Sequence, residues 1–246
     1  MASFNKKIIS LVLISHSICS QPIVDIENLR RSDEIGFFGS AGLNLDSSRG
    51  NENRDNFNIT LAFTNNNESI ESLLVFNKSE RSKDSETEAE STFGHARILW
   101  KLDQIFDLET YIQTTENPFQ SYKKRNLIGI GVRLKDIQKY NLGLSIFKEK
   151  EQTLNRISKD TDRLNIYVHR KTMFRNEMSL NTSVFFQPSI NEPNKDYKAS
   201  LLLTLNMPIS KKFNIQIQFS ESIDKDPPDI ADESDQLFST NFIYKL

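Results

Sequence analysis

Apolar and polar residues alternate along most of this chain with a period of two. In residues 56–64, Phe57, Ile59, Leu61 and Phe63 fall on one side of an extended segment, and Asn58, Thr60, Ala62 and Thr64 on the other. That is the signature of a strand with one apolar and one polar face. The pattern returns about every twenty residues, as a meander of hairpins does. Ile98, Trp100 and Leu102 oppose His95, Arg97 and Lys101, and Leu108, Thr110 and Ile112 oppose Glu109, Tyr111 and Gln113. Ile128, Ile130, Val132 and Leu134 oppose Gly129, Gly131 and Arg133; Leu142, Leu144 and Ile146 oppose Asn141, Gly143 and Ser145. Leu164, Ile166 and Val168, then Leu180, Val184 and Phe186, then Leu201, Leu203 and Leu205, then Phe213, Ile215, Ile217 and Phe219 repeat it. With a glycine-rich first strand over 39–45, a less distinct one near 73–76, and a last one carrying Phe242, Tyr244 and Leu246, the pattern predicts about twelve strands.

The connections alternate too. Long polar links occupy 47–55, 78–90, 117–125, 149–162, 189–196 and 222–235; short ones lie at 65–68, 103–105, 135–139 and 208–212, with an intermediate one at 171–177. Membrane barrels alternate short turns on one side with long loops on the other. The polar face is mostly Asn, Gln, Ser, Thr and Gly, with scattered Arg, His and Glu, and charge gathers in the long links. A soluble barrel needs an apolar interior and a charged exterior, whereas this face suits a wet or hydrogen-bonded lumen. The expectation is an all-β, closed antiparallel transmembrane β-barrel with both termini on the short-turn side. A secreted, lipocalin-like soluble binder is the alternative, and it predicts an apolar cavity.

Composition agrees with a barrel rather than a helical membrane protein. Hydrophobic residues make up 37 % of the 246 and the mean hydropathy is −0.50, and after the first residues no window holds the 18 apolar residues a spanning helix needs. The 31 basic and 33 acidic residues nearly balance, which leaves no basic surplus for nucleic acid. At the start, Lys6 and Lys7 precede a short apolar run over 8–14 and then polar residues, the order of an export signal. The expected division is a signal peptide at 1–20 and a barrel domain at 21–246. Cys19, the single cysteine, lies at this junction; cleavage after it leaves no thiol, and lipidation on it is disfavoured by Ile18 just before it.

Several motifs resemble the family called domain of unknown function 481, also labelled salt-induced outer-membrane protein. They are Ile23-Val24-Asp25-Ile26-Glu27-Asn28-Leu29-Arg30, then Gly36-Phe37-Phe38-Gly39-Ser40-Ala41-Gly42-Leu43-Asn44, then Leu108-Glu109-x-Tyr111-x-Gln113 followed by Arg125-Asn126-Leu127-Ile128-Gly129-x-Gly131. The resemblance implies a barrel in the outer membrane and carries no activity. The final Phe242-x-Tyr244-x-Leu246 resembles the terminal signal read by the barrel insertion machinery, with Leu in place of the usual Phe.

For chemistry, Glu109, Tyr111, Gln113 and Arg133 share the lumen face of neighbouring strands with Arg97, and we expect a lumen network among them that locks the barrel or constricts a pore. His95 and His169 also face the lumen, but no Gly-x-Ser-x-Gly or comparable motif marks a nucleophile, so no enzymatic activity is expected. The acidic stretch 224–235 lacks the spacing and glycine of a calcium loop, and we expect a solvated loop with no metal and no cofactor. Two functional classes remain: a narrow pore or structural barrel, and a non-conducting barrel subunit of an envelope complex. The expected partners are outer-membrane lipid, the insertion machinery and other envelope proteins.

Overall fold

A computed structural model describes residues 34–48, 54–83, 86–118, 122–137, 139–227 and 232–245. The signal segment, Cys19, the 23–30 motif and Leu246 lie outside the described residues. Twelve strands follow one another in the chain: β1 (Gly36–Ser48), β2 (Arg54–Asn66), β3 (Ile70–Lys83), β4 (Glu86–Lys101), β5 (Phe106–Asn117) and β6 (Tyr122–Ile137), then β7 (Tyr140–Thr153), β8 (Ser158–Met173), β9 (Ser179–Pro188), β10 (Tyr197–Pro208), β11 (Phe213–Asp224) and β12 (Ser234–Lys245). Each pairs antiparallel with its sequence neighbours, and β12 returns to β1 to close the barrel. The start of β1 and the end of β12 therefore lie at the end that carries the turns after β2, β4, β6, β8 and β10.

Closure follows from the alternation. Ile98, Leu74, Phe76, Ile112, Ile128, Ile130, Leu144, Ile146 and Phe186 are exposed on the outside, while the residues between them are buried inside the cylinder. Exposed apolar positions on successive strands make a continuous belt, bounded at the turn end by Trp100, Phe106, Tyr140 and Tyr244. An apolar belt around a polar interior is the inverse of a soluble barrel, and it is the surface a bilayer requires.

Two features depart from the sequence reading. The long links are mostly strand: only residues 84–85 separate β3 from β4, and residues 154–157 separate β7 from β8. The wall runs on beyond the apolar belt, where the outward residues turn polar (Lys148, Lys150, Asp160 and Asp162 are exposed), so alternation in hydrophobicity stops while the hydrogen-bonded ladder continues. The lumen, moreover, is not uniformly polar. Ala62, Leu73, Val75 and Phe93 form one buried apolar cluster, and Tyr111, Leu127 and Phe147 another. β3 reads indistinctly in sequence for this reason: Leu73 and Val75 point inward while Leu74 and Phe76 point outward.

Candidate functional site: the filled lumen

Three layers of side chains fill the barrel from the turn end to the loop end. Nearest the turns, Asp107 of β5 lies opposite Arg133 of β6 in the ladder and accepts from Arg133 Nη1 at 3.4 Å and Lys135 Nζ at 2.6 Å. Beside it, Arg97 Nη1 donates to Glu109 Oε2 at 3.1 Å. Both carboxylates are fully or almost fully buried, and a buried charge is tolerated only when paired and hydrogen-bonded.

The middle layer is aromatic and amide-rich. Phe93, His95 and Tyr111 stack in sequence, with ring centroids 6.2 Å and 6.0 Å apart, and the Arg97 guanidinium lies 5.1 Å from the Tyr111 ring centre. His95 Nδ1 is 3.2 Å from Gln113 Oε1. The Tyr111 hydroxyl crosses β6 to Ser145 Oγ of β7 at 3.0 Å, Asn165 Nδ2 donates to the same oxygen at 3.1 Å, and Gln187 Nε2 donates to Asn165 Oδ1 at 3.1 Å. Tyr111 can cross because Gly129 lies beneath it; a Cβ there would come within 2.7 Å of its hydroxyl oxygen.

At the loop end, four cations and five carboxylates form one connected ionic web. Glu149 is gripped by Arg125 and Arg163, and Arg125 also reaches Glu151 at 3.3 Å. Arg163 continues to Asp196 at 2.6 Å, Lys159 joins Asp196 at 2.7 Å and Asp226, and Lys198 bridges Glu151 and Asp224 at 2.7 Å each. Glu151 is on β7 and Lys198 on β10, with β8 and β9 between them in the barrel order, so that contact crosses the lumen.

Of the residues expected from sequence, Arg97, Glu109 and Tyr111 meet directly. Gln113 joins through His95. Arg133 pairs with Asp107 of β5. The sequence reading missed Asp107, which shares the inward parity of Glu109, and the loop-end web, of which Glu149, Glu151 and Lys159 fall in the stretch 149–162 assigned to a loop; carrying the inward parity of Ser145 on past Phe147 marks Glu149 and then Glu151. Charge is thus concentrated inside the barrel as well as in the links. In the acidic stretch, Asp224, Asp226 and Glu233 each face a lysine, and no cluster of metal-ligating side chains is present among the described residues. His169 Nδ1 lies 2.9 Å from Ser183 Oγ, but Ser183 has no exposed surface, and a nucleophile must reach its substrate.

Along β1 and β12, and at the neighbouring positions Thr60 of β2 and Gln218 of β11, the packing is looser. Lumen positions such as Gln218, Ser239, Asn241, Ser40 and Thr60 are half-buried, whereas Glu71, Leu99, Glu109, Ser183, Leu202 and Thr204 across the rest of the wall have no exposed surface.

The architecture is that of known outer-membrane barrels. The translocator domain of the autotransporter NalP from Neisseria meningitidis is similar with a TM-score of 0.55 and 12 % identity, covering 89 % of this chain and 91 % of that one. The COG4313 outer membrane channel from Pseudomonas putida F1 is similar with a TM-score of 0.51 and 9 % identity, covering 87 % and 96 %. No curated protein matches the chain. The sequence itself matches one family model over residues 40–246, nearly the whole barrel. This integral β-barrel therefore belongs to the family described as Protein of unknown function, DUF481.

Proposed function

We propose that this protein is exported to the outer membrane, inserted there by the barrel insertion machinery, and works as a plugged barrel rather than an open porin. The observation that carries the reading is the burial of the lumen side chains: Arg163, Tyr167, Glu71, Glu109 and Glu149 are all below 2 % exposed. An open channel leaves its lining residues wet. Here charged groups instead neutralise one another inside the barrel, mostly between adjacent strands and, for Lys198 and Glu151, between β10 and β7, and the more open lumen positions lie along β1 and β12. The role this favours is structural, or that of a subunit on which other envelope proteins assemble. No catalytic role is part of it.

Planar-bilayer recording of the purified protein tests the proposal. We expect no porin-sized steps from the native barrel, and larger steps from Arg163→Ala/Lys198→Ala, which removes the cations that hold the loop-end web together. Large, steady conductance of the native protein would overturn it.

A further inference from the structure

The junction that closes the barrel is short. β1 and β12 share four pairs, from Ser40–Lys245 to Leu43–Phe242, whereas β1 makes thirteen with β2 and β12 makes eleven with β11. Beyond Leu43 and Phe242 the edges 44–48 and 234–241 face each other without a ladder. The Asn44 side chain spans the mouth of this gap: its Nδ2 donates to the Thr240 carbonyl at 2.7 Å and lies 3.5 Å from Asn241 Oδ1.

Register does not cause the gap. Continuing the existing pairing would set Asn44 against Asn241 and Leu45 against Thr240, with inward residues opposite inward ones and outward opposite outward. The gap also lies within the apolar belt, because Leu45 and Phe238, both beyond the last pair, are outward and 69 % and 70 % exposed. Unpaired backbone amides in hydrocarbon cost several kcal/mol each, so these edges call for an occupant that can hydrogen-bond. Behind them lies the looser polar strip of the lumen, with Asn44, Ser239 and Asn241 half-buried.

We propose that the β1–β12 seam is a lateral portal that lodges a membrane amphiphile, its acyl chain between Leu45 and Phe238 and its hydrogen-bonding head against the strand edges, Asn44 and Ser239. The two sides of the gap set the occupant's chemistry: outward Leu45 and Phe238 offer apolar contact, while the strand edges and the inward Asn44 and Ser239 offer hydrogen bonds, the pairing that an acyl chain with a polar head satisfies. The inference rests on the membrane-barrel reading above.

The test is photo-cross-linking of the full-length folded protein in vesicles of phosphatidylethanolamine and phosphatidylglycerol. The cross-linker p-benzoylphenylalanine replaces Ser239 at the seam, Thr204 on the far lumen wall, or Leu144 on the outer belt. We expect a phospholipid adduct at position 239 and none at 204. In Asn44→Cys/Asn241→Cys, closing the seam with an oxidant-formed disulfide, or with a short bis(methanethiosulfonate) cross-linker if the disulfide does not form, should abolish the adduct at 239, and reductant should restore it. An adduct at 239 that survives closure, no lipid adduct at 239, or a protein adduct in its place overturns the portal. Loss of the adduct at 144 would instead show that the barrel does not sit in the bilayer, a separate failure.

Discussion

The ring of Tyr167 on β8 lies over Gly143 on β7, so close that a Cβ at Gly143 would fall 1.9 Å from the ring. The two residues are directly opposite in the ladder, and the missing side chain on one strand is the space that holds the aromatic ring of the next. Tyr111 uses Gly129 of β6 in the same way. These slots let large rings lie along the wall and fill a twelve-stranded lumen without parting the strands.

Gly143→Val should therefore destabilise the barrel by about 1–3 kcal/mol, the usual cost of overpacking. Thermal unfolding in detergent, followed by heat-modified gel mobility, measures it. Adding Tyr167→Ala to Gly143→Val should recover part of the loss; additive losses in the double variant would refute the slot.

Arg163 joins Glu149 to Asp196 in the loop-end web. Arg163→Ala leaves both carboxylates short of a buried partner, and breaking such a pair costs about 3–5 kcal/mol. Replacing Arg163 and Glu149 together by Met and Leu should cost less than Arg163→Ala alone. A double-mutant cycle on the unfolding midpoint reads the difference.

Glu109 tests the lumen network predicted from sequence. Glu109→Lys places a like charge beside Arg97, 3.1 Å from the present carboxylate oxygen, and should lower the unfolding temperature and alter any residual conductance. If heat stability and conductance both stay at native values, the Arg97–Glu109 pair neither locks the barrel nor constricts it.

Asp103 in the β4–β5 turn is an acid-sensitive point outside the membrane. Its Oδ1 accepts the backbone N–H groups of Ile105 and Phe106, each at 2.7 Å, and these bonds, led by Phe106, hold its carboxyl below the ordinary value. A lowered folded-state pKa means its stabilisation is present above the unfolded-state value and is lost as pH falls through the lowered one. The native protein should exceed Asp103→Ala in stability at neutral pH, and the two should converge in strong acid. An equal gap at every pH along an acid titration would contradict this.

Trp100, the single tryptophan, faces outward near the turn end of the belt. Its fluorescence should be quenched by brominated acyl chains, most strongly when the bromine sits close to the head group. Equal quenching at every bromine depth would place the indole elsewhere.

The period-two alternation determined the strands, their inward and outward faces and the closure. That pattern is local, and a two-faced strand with a lipid-compatible side leaves a closed cylinder as the arrangement that satisfies its backbone. The same local signal ended where the outward residues became polar, and so it misread the upper wall around Glu149, Glu151 and Lys159 as loop. Adjacent-strand parity brought Arg97, Glu109 and Tyr111 together on the lumen face, but which groups meet over longer distances was decided by the tertiary structure. Tyr111 finds Ser145 thirty-four residues away and Lys198 finds Glu151 forty-seven away, contacts fixed by register, curvature and glycine slots that no single strand encodes. The short β1–β12 seam belongs to that second class as well: each strand reads as a complete strand by itself, and the gap exists only where the two ends of the sheet come together.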